Sequence, residues 1–129
     1  PQALPPMEAQ EEIFAAWDWS PDGRRIAGFT QRSDGQVTGI VSYDLKEERF
    51  TKWSEVGQDP RWLSDSRRLF FVDEGKLWLL NTGTGTRKII VQSPEWRVER
   101  RGMAASRDDR WIYFSGSRNE TEIWLGVVE

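Results

Sequence analysis

The chain has 129 residues, with 21 acidic and 18 basic side chains and a formal net charge of −3; an isoelectric point near 5.1 argues against a phosphate-binding face, so no nucleic acid is expected as a partner. It contains no histidine and no cysteine, which excludes a Ser-His-Asp triad, a cysteine nucleophile, a histidine-based metal site and any disulfide. Its unbroken apolar runs are a few residues long, too short for a bilayer-spanning helix, and no membrane insertion is expected.

The chain opens Pro1-Gln2-Ala3-Leu4-Pro5-Pro6, without Met, as expected of a domain cut from a longer protein or of a processed one. Residues 1–13 are read as an N-terminal extension. Phe14 to Trp19 is a first short strand, and Pro21-Asp22-Gly23 is turn chemistry: proline presets φ, aspartate bonds its own backbone and glycine accepts positive φ. Strands follow at Ile26 to Phe29, Gly39 to Leu45 and Arg49 to Trp53, with Ser33-Asp34-Gly35 in the intervening loop. The next set is Asp59 to Leu63, Leu69 to Val72, Leu77 to Leu80 and Arg87 to Val91, with tight turns at Asp73-Glu74-Gly75 and in Asn81 to Thr86. The last set is Gly102 to Ser106, Trp111 to Phe114 and Ile123 to Val128, with a loop at Gly116 to Thr121 and no fourth strand.

These sets are copies of one unit. WSPDGRRIAGF (19–29), WLSDSRRLFFV (62–72) and ASRDDRWIYFS (105–115) align with Asp22, Asp65 and Asp108 in register, a step of 43 residues each time. A period of about 40 to 45 in strand-rich repeats marks the four-stranded blade of a β-propeller. The fold class is therefore all-β: a partial propeller of three four-stranded antiparallel blades, approximately 14–53, 59–91 and 102–129. The three aspartates are expected to hold their turns closed. Ile26, Phe29, Val41, Leu69, Phe71, Trp78, Leu80, Ile112, Phe114, Trp124 and Val127 are expected in the core between blades. Trp62, Trp78, Trp111 and Trp124 occupy strand positions expected to pack blade on blade. Trp17, Trp53 and Trp96 lie nearer loops and strand ends, where ligand stacking stays open.

The stretch Trp19-Ser20-Pro21-Asp22-Gly23-Arg24-Arg25-Ile26-Ala27, with Tyr43-Asp44-Leu45 after it, resembles the repeat of TolB-like β-propellers. Thr121-Glu122-Ile123-Trp124-Leu125 resembles the closing blade of such proteins; the second copy departs by losing the proline and glycine. The resemblance implies a ring of six blades, of which this chain has half, and an extracytoplasmic, periplasmic setting over a cytoplasmic one. It also implies an alternative function, since similar blades cap prolyl-oligopeptidase-type hydrolases. The G-x-S-x-G elbow and histidine of such a catalytic half are absent here.

No residue set points to a reaction. Glu11-Glu12, Glu47-Glu48 and Asp108-Asp109 are sequence neighbours, which point to opposite faces of a strand and make poor acid–base pairs. Asp34, Asp73 and Glu74 are loop carboxylates suited to a hard cation, but no calcium-loop spacing surrounds them, so neither a metal nor another cofactor is expected. The expected function is a non-catalytic protein-interaction or scaffold module with a protein partner. Its binding residues are expected on one face of the ring, on the loops after the second and fourth strands: Arg32, Asp34, Trp96, Arg97, Asn119 and Glu120. Arg97, Arg100 and Arg101 form a local basic cluster, read as a solvated loop or as a contact for an acidic partner. Three blades leave two open flanks. Two accounts of closure remain: a homodimer completing a six-bladed ring, in which Glu8 to Ala15 supplies the missing strand of the other copy's last blade, or a different sequence forming the other half.

Overall fold

The computed structural model describes residues 12–100, 103–117 and 121–127, with side chains through Gly116. Twelve strands and no helix are present among them. β1 (Glu12–Trp19), β2 (Arg25–Arg32), β3 (Val37–Asp44) and β4 (Arg49–Ser54) form one antiparallel meander; β5 (Gln58–Trp62), β6 (Arg68–Asp73), β7 (Lys76–Asn81) and β8 (Thr86–Val91) form a second. In the third sheet, β9 (Arg97–Val98) and β10 (Ala104–Ala105) both pair with β11 (Trp111–Ser117), which pairs in turn with β12 (Thr121–Val127). The molecule is all-β, built of four-stranded antiparallel blades.

β1 begins at Glu12 rather than Phe14, and its pairing corrects one expectation. Glu12 to Ala15 pair with Phe29 to Arg32 of β2, so these residues belong to the first blade and are not free to complete another copy's last one. The rest of the segment proposed for that role lies outside the described residues.

The first strand of every blade is interrupted at the same repeat position. β1 bulges at Trp17, between Ala16 and Asp18. β5 shifts between Gln58 and Arg61, where Asp59 adopts φ 56°. In the third blade the break widens until the strand is two pieces, β9 and β10. Bulges re-aim side chains and end pairing locally, and here they bend the strands that carry the contacts described below.

Alternation along each second strand builds the seams between blades, because successive side chains point to opposite faces. On β6, Leu69 and Phe71 join a buried cluster with Ala27, Phe29, Ile40, Trp62 and Leu80, the seam between the first two blades. Phe70 and Val72 face the other way, into a cluster with Leu63, Leu77, Leu79, Val98, Met103, Ile112 and Phe114, the seam between the second and third. On β11, Ile112 and Phe114 are buried while Trp111 and Tyr113 are 40% and 41% exposed. The expected packing of Trp111 between blades is thus corrected: its face of β11 is the one turned away from the second blade.

Of the other expected core residues, Phe29, Leu69, Phe71, Leu80, Ile112 and Phe114 are buried in the two seams, while Ile26 and Val41 are buried on the first blade's opposite face, away from the second blade. Trp78 is half-buried, stacked on Phe71 with centroids 6.0 Å apart. Trp124 and Val127 lie outside the described side chains.

Each repeat turn is held by its aspartate. Asp22 accepts from the Ser20 hydroxyl at 2.6 Å and the Arg24 N–H at 2.9 Å. Asp65 accepts from the Arg67 and Arg68 N–H groups, both at 2.9 Å, and Asp108 from the Ser106 hydroxyl at 2.6 Å and the Arg110 N–H at 3.1 Å. The next residue is left-handed in all three turns: Gly23 at φ 72°, Ser66 at 56° and Asp109 at 60°. Losing the glycine costs backbone ease, but the side chains gained there reach the neighbouring blade. The Ser66 hydroxyl accepts from the Asp22 N–H at 3.0 Å. The Asp109 carboxylate accepts from the N–H and hydroxyl of Ser64, both at 2.7 Å.

Candidate functional site

The turn between β6 and β7 and the connection from β8 to β9 emerge at the same end of the second blade, because the strands run as a meander. Gly75 closes that turn at φ 72°. A Cβ there would lie 2.8 Å from the Arg97 side chain, so only glycine lets the arginine cross it. The Val98 N–H then donates to the Gly75 carbonyl at 2.8 Å, and the buried Val98 side chain anchors the segment in the second seam.

These contacts wall a cavity of about 240 Å³ lined by Gln58, Val72, Glu74, Gly75, Arg97, Val98, Glu99 and Arg100. Its volume lies below the several hundred Å³ usual for small-molecule sites and suits one or two side chains. Two guanidinium groups and two carboxylates surround it. Behind it, the Arg100 guanidinium stands 3.8 Å from the carboxylate of Asp59, which is only 6% exposed. Burial pushes the Asp59 carboxyl above its usual range, against the opposing pull of Arg100 and then Arg61. Asp73, at the start of the turn, is also raised, by burial and then by its neighbour Glu74.

The expected binding residues separate in space. Arg97 lines the cavity. Trp96 is half-buried against the second core cluster, stacked on Phe114 at 6.1 Å, so its ring packs into the protein instead of standing open as a stacking platform. Arg32 and Asp34 belong to the exposed β2–β3 hairpin of the first blade; the Asp34 carboxylate accepts from the Gln36 N–H at 2.9 Å and shapes that turn. Asn119 and Glu120 lie outside the described residues. Of the other tryptophans near loops, Trp53 donates its indole N–H to the Ser42 hydroxyl at 2.8 Å and packs on the first seam, while Trp17 is 45% exposed beside Phe29.

Asp59 was not legible as a site residue. Its one signal is its position before Pro60, at the repeat's bulge. Among the described residues no group of three His, Cys, Asp or Glu side chains is placed to hold a metal. None of the described carboxylates is paired with a histidine or cysteine, since the chain has neither. The arrangement offers charge and shape to a polar ligand.

No family model matches the sequence, and no curated protein is significantly similar to it. Solved structures are similar in fold. A TolB-type protein from Agrobacterium tumefaciens superposes with a TM-score of 0.73 at 16% identity, over 91% of this chain and 46% of its own. An oligogalacturonate lyase in complex with manganese gives 0.71 at 16% identity, over 94% and 36%. The β-propeller domain of the trilobed protease from Pyrococcus furiosus, described as having an open velcro topology, gives 0.65 at 18% identity, over 92% and 40%. The chain spans less than half the length of each of these three. Together with the 43-residue repeat and the meander blades, these likenesses show a TolB-like β-propeller fold.

Proposed function

We propose that the chain is a non-catalytic interaction module that takes a protein partner on the face carrying the β6–β7 turn and the β8–β9 connection. The observation supporting this is the cavity there: side-chain sized, lined by Glu74, Arg97, Glu99 and Arg100, and held by Gly75 and Val98. Arg32 and Asp34, and in the same reading Asn119 and Glu120, would extend the contact around that face. The resemblance to TolB-like repeats favours an extracytoplasmic setting. The likeness to a protease's propeller domain supports a second reading, an accessory propeller of a peptidase whose catalytic part is a separate domain.

The test is selection of a displayed peptide library on the chain, followed by binding measurements on an R97E/R100E variant. Peptides that bind at least about tenfold more weakly to the variant are expected, a loss of about 1.4 kcal/mol. Peptides that bind both proteins equally would remove the cavity from the reading. Turnover of peptide or ester substrates by the purified chain would overturn its non-catalytic character.

A further inference from the structure

The cavity beside Gly75 carries charges of both signs, and they are not held alike. Arg97 is pinned. Its Cβ, Nε and Cζ atoms lie so close over Gly75 that a Cβ there would stand 2.8 Å from the first and 2.9 Å from the other two. Gly75 is buried although it belongs to the two-residue turn between Asp73 and Lys76. The backbone that follows Arg97 is tied down as well, by the Val98 N–H on the Gly75 carbonyl at 2.8 Å and the Glu99 N–H on the Ser115 carbonyl at 2.7 Å.

Arg100 is shared. Its Nε stands 3.8 Å from Oδ2 of Asp59, whose carboxylate is buried behind the cavity. That separation makes an ion pair but not a hydrogen bond, and a guanidinium offers two further nitrogens beyond Nε. The carboxylates of the lining are looser. Glu74 is exposed on its turn, and among the described residues neither Glu74 nor Glu99 makes an ion pair or a side-chain hydrogen bond.

This difference selects the guest. A cationic side chain would meet Arg97 where it is pinned, and would compete with Arg100 for Asp59. An anionic one meets both guanidinium groups as they stand, and no described contact holds the two glutamates in its way. Val72 and Val98 give the cavity an apolar wall for the methylenes of such a side chain. We propose that the partner enters this cavity with a carboxylate, from an Asp or Glu side chain or from a chain's C-terminus, and that Arg97 and Arg100 grip it. Guanidinium forks match planar carboxylates in geometry as well as charge. The proposal rests on the reading of this cavity as a partner site and names the group that fills it.

Peptides selected on the parent chain from a displayed library, then synthesised with free and with amidated C-termini, test this by calorimetric titration. The binders should share an Asp or Glu at one position and keep their affinity when amidated, or should need the free C-terminus; the two patterns tell the two sources apart. Arg97→Lys keeps the charge but not the fork, and should weaken binding by about tenfold or more. Gly75→Asn should act likewise without changing any charge. Asparagine tolerates the left-handed φ of 72°, but its Cβ has no room beneath Arg97, and circular dichroism should show the parent fold. The double variant E74Q/E99Q should bind these peptides at least as well as the parent. Binders marked by Lys or Arg, lost in E74Q/E99Q and kept in Arg97→Lys, would overturn the proposal and leave the cavity a partner site. Acidic binders that hold the parent affinity in both Arg97→Lys and Gly75→Asn would overturn it too. Binders that none of these variants affects lie outside the cavity and would overturn the underlying reading with it.

Discussion

The two seams of the molecule solve the same packing problem with different chemistry. Between the first and second blades, a polar clasp of Asp18, Arg25 and Trp62 sits over an apolar cluster of Phe29, Ile40, Leu69, Phe71 and Leu80. Between the second and third blades the clasp positions hold Arg61, Arg68 and Ala105, and no such clasp can form. Its work passes to Asp109, which takes both donors of Ser64 and stands 3.9 Å from Arg68. Met103, Val98 and Phe114 enlarge the apolar side. The repeat preserves where blades touch, while the residues that tie them are chosen seam by seam. Burial of large apolar side chains is common to both seams and should dominate their stability.

The strongest way to break the comparison is from β6, which feeds both seams. Phe70→Ala and Phe71→Ala should each cost about 3–5 kcal/mol, since both rings are fully buried and each leaves a cavity. Their equal burial hides a difference in direction. Hydrogen exchange should show protection lost mainly in β1 to β4 for Phe71→Ala and mainly in β9 to β12 for Phe70→Ala. Loss spread evenly over all three blades in both variants would mean that the seams do not act as separate units.

Removing the clasp should cost less. Asp18→Ala leaves the Trp62 backbone N–H without its partner in a part-buried site, which should cost roughly 1–3 kcal/mol. Arg61 occupies the same repeat position in the second blade and is exposed; Arg61→Ala should fall within about 0.5 kcal/mol of the parent. Equal costs in chemical denaturation would show that the position itself, and not the clasp, carries the stability.

What was legible in the sequence follows from the range of each interaction. The turns at Asp22, Asp65 and Asp108 are closed by bonds between residues two to five apart, so their residues appear together in the sequence. Apolar positions in repeat-related strands likewise marked Leu69, Phe71, Ile112 and Phe114 as core residues. The seam contacts join residues 41 to 57 apart, and only the three-dimensional placement of blades reveals them. Trp111 was misjudged because repeat equivalence fixes which face a side chain takes, and on β11 the face packed on the second blade belongs to Ile112 and Phe114. Trp96 lies in a loop, yet its ring packs on Phe114. At the site, Arg97 was legible as part of a basic cluster, but its crossing of Gly75 depends on a glycine in another repeat element.

The turns and the cavity also respond to acid in opposite senses. The Ser20 hydroxyl and then the Arg24 N–H hold the Asp22 carboxyl below its usual range. Burial raises Asp65, but the N–H groups of Arg68 and Arg67 outweigh it and leave that carboxyl lowered too. Carboxyls lowered in the folded state lend stability that is present above the unfolded value of 3.8 and is lost as pH falls through their folded values. Asp65→Asn should flatten the acid limb of a thermal-stability profile below about pH 4. An unchanged limb would show that other carboxylates set it.

Asp59 should give the smallest effect and the opposite sign. Its carboxyl is raised, chiefly by burial, so the folded state binds a proton more readily than the unfolded chain, and protonation stabilises the fold. Between the unfolded value of 3.8 and the raised folded value, stability from this group therefore increases as pH falls. Asparagine removes the charge that burial opposes, and it tolerates the left-handed φ of 56° at this position. It forfeits the ion pair with Arg100, but that guanidinium is half-exposed and 3.8 Å away, so the loss is small. Asp59→Asn should therefore raise the melting temperature at pH 7 by an amount corresponding to about 1 kcal/mol or less. The difference from the parent should close as pH falls past the folded value, where Asp59 is itself neutral. A lower melting temperature at pH 7 would mean that Arg100 holds Asp59 more strongly than burial opposes it. The cavity's rear wall would then be built on that pair.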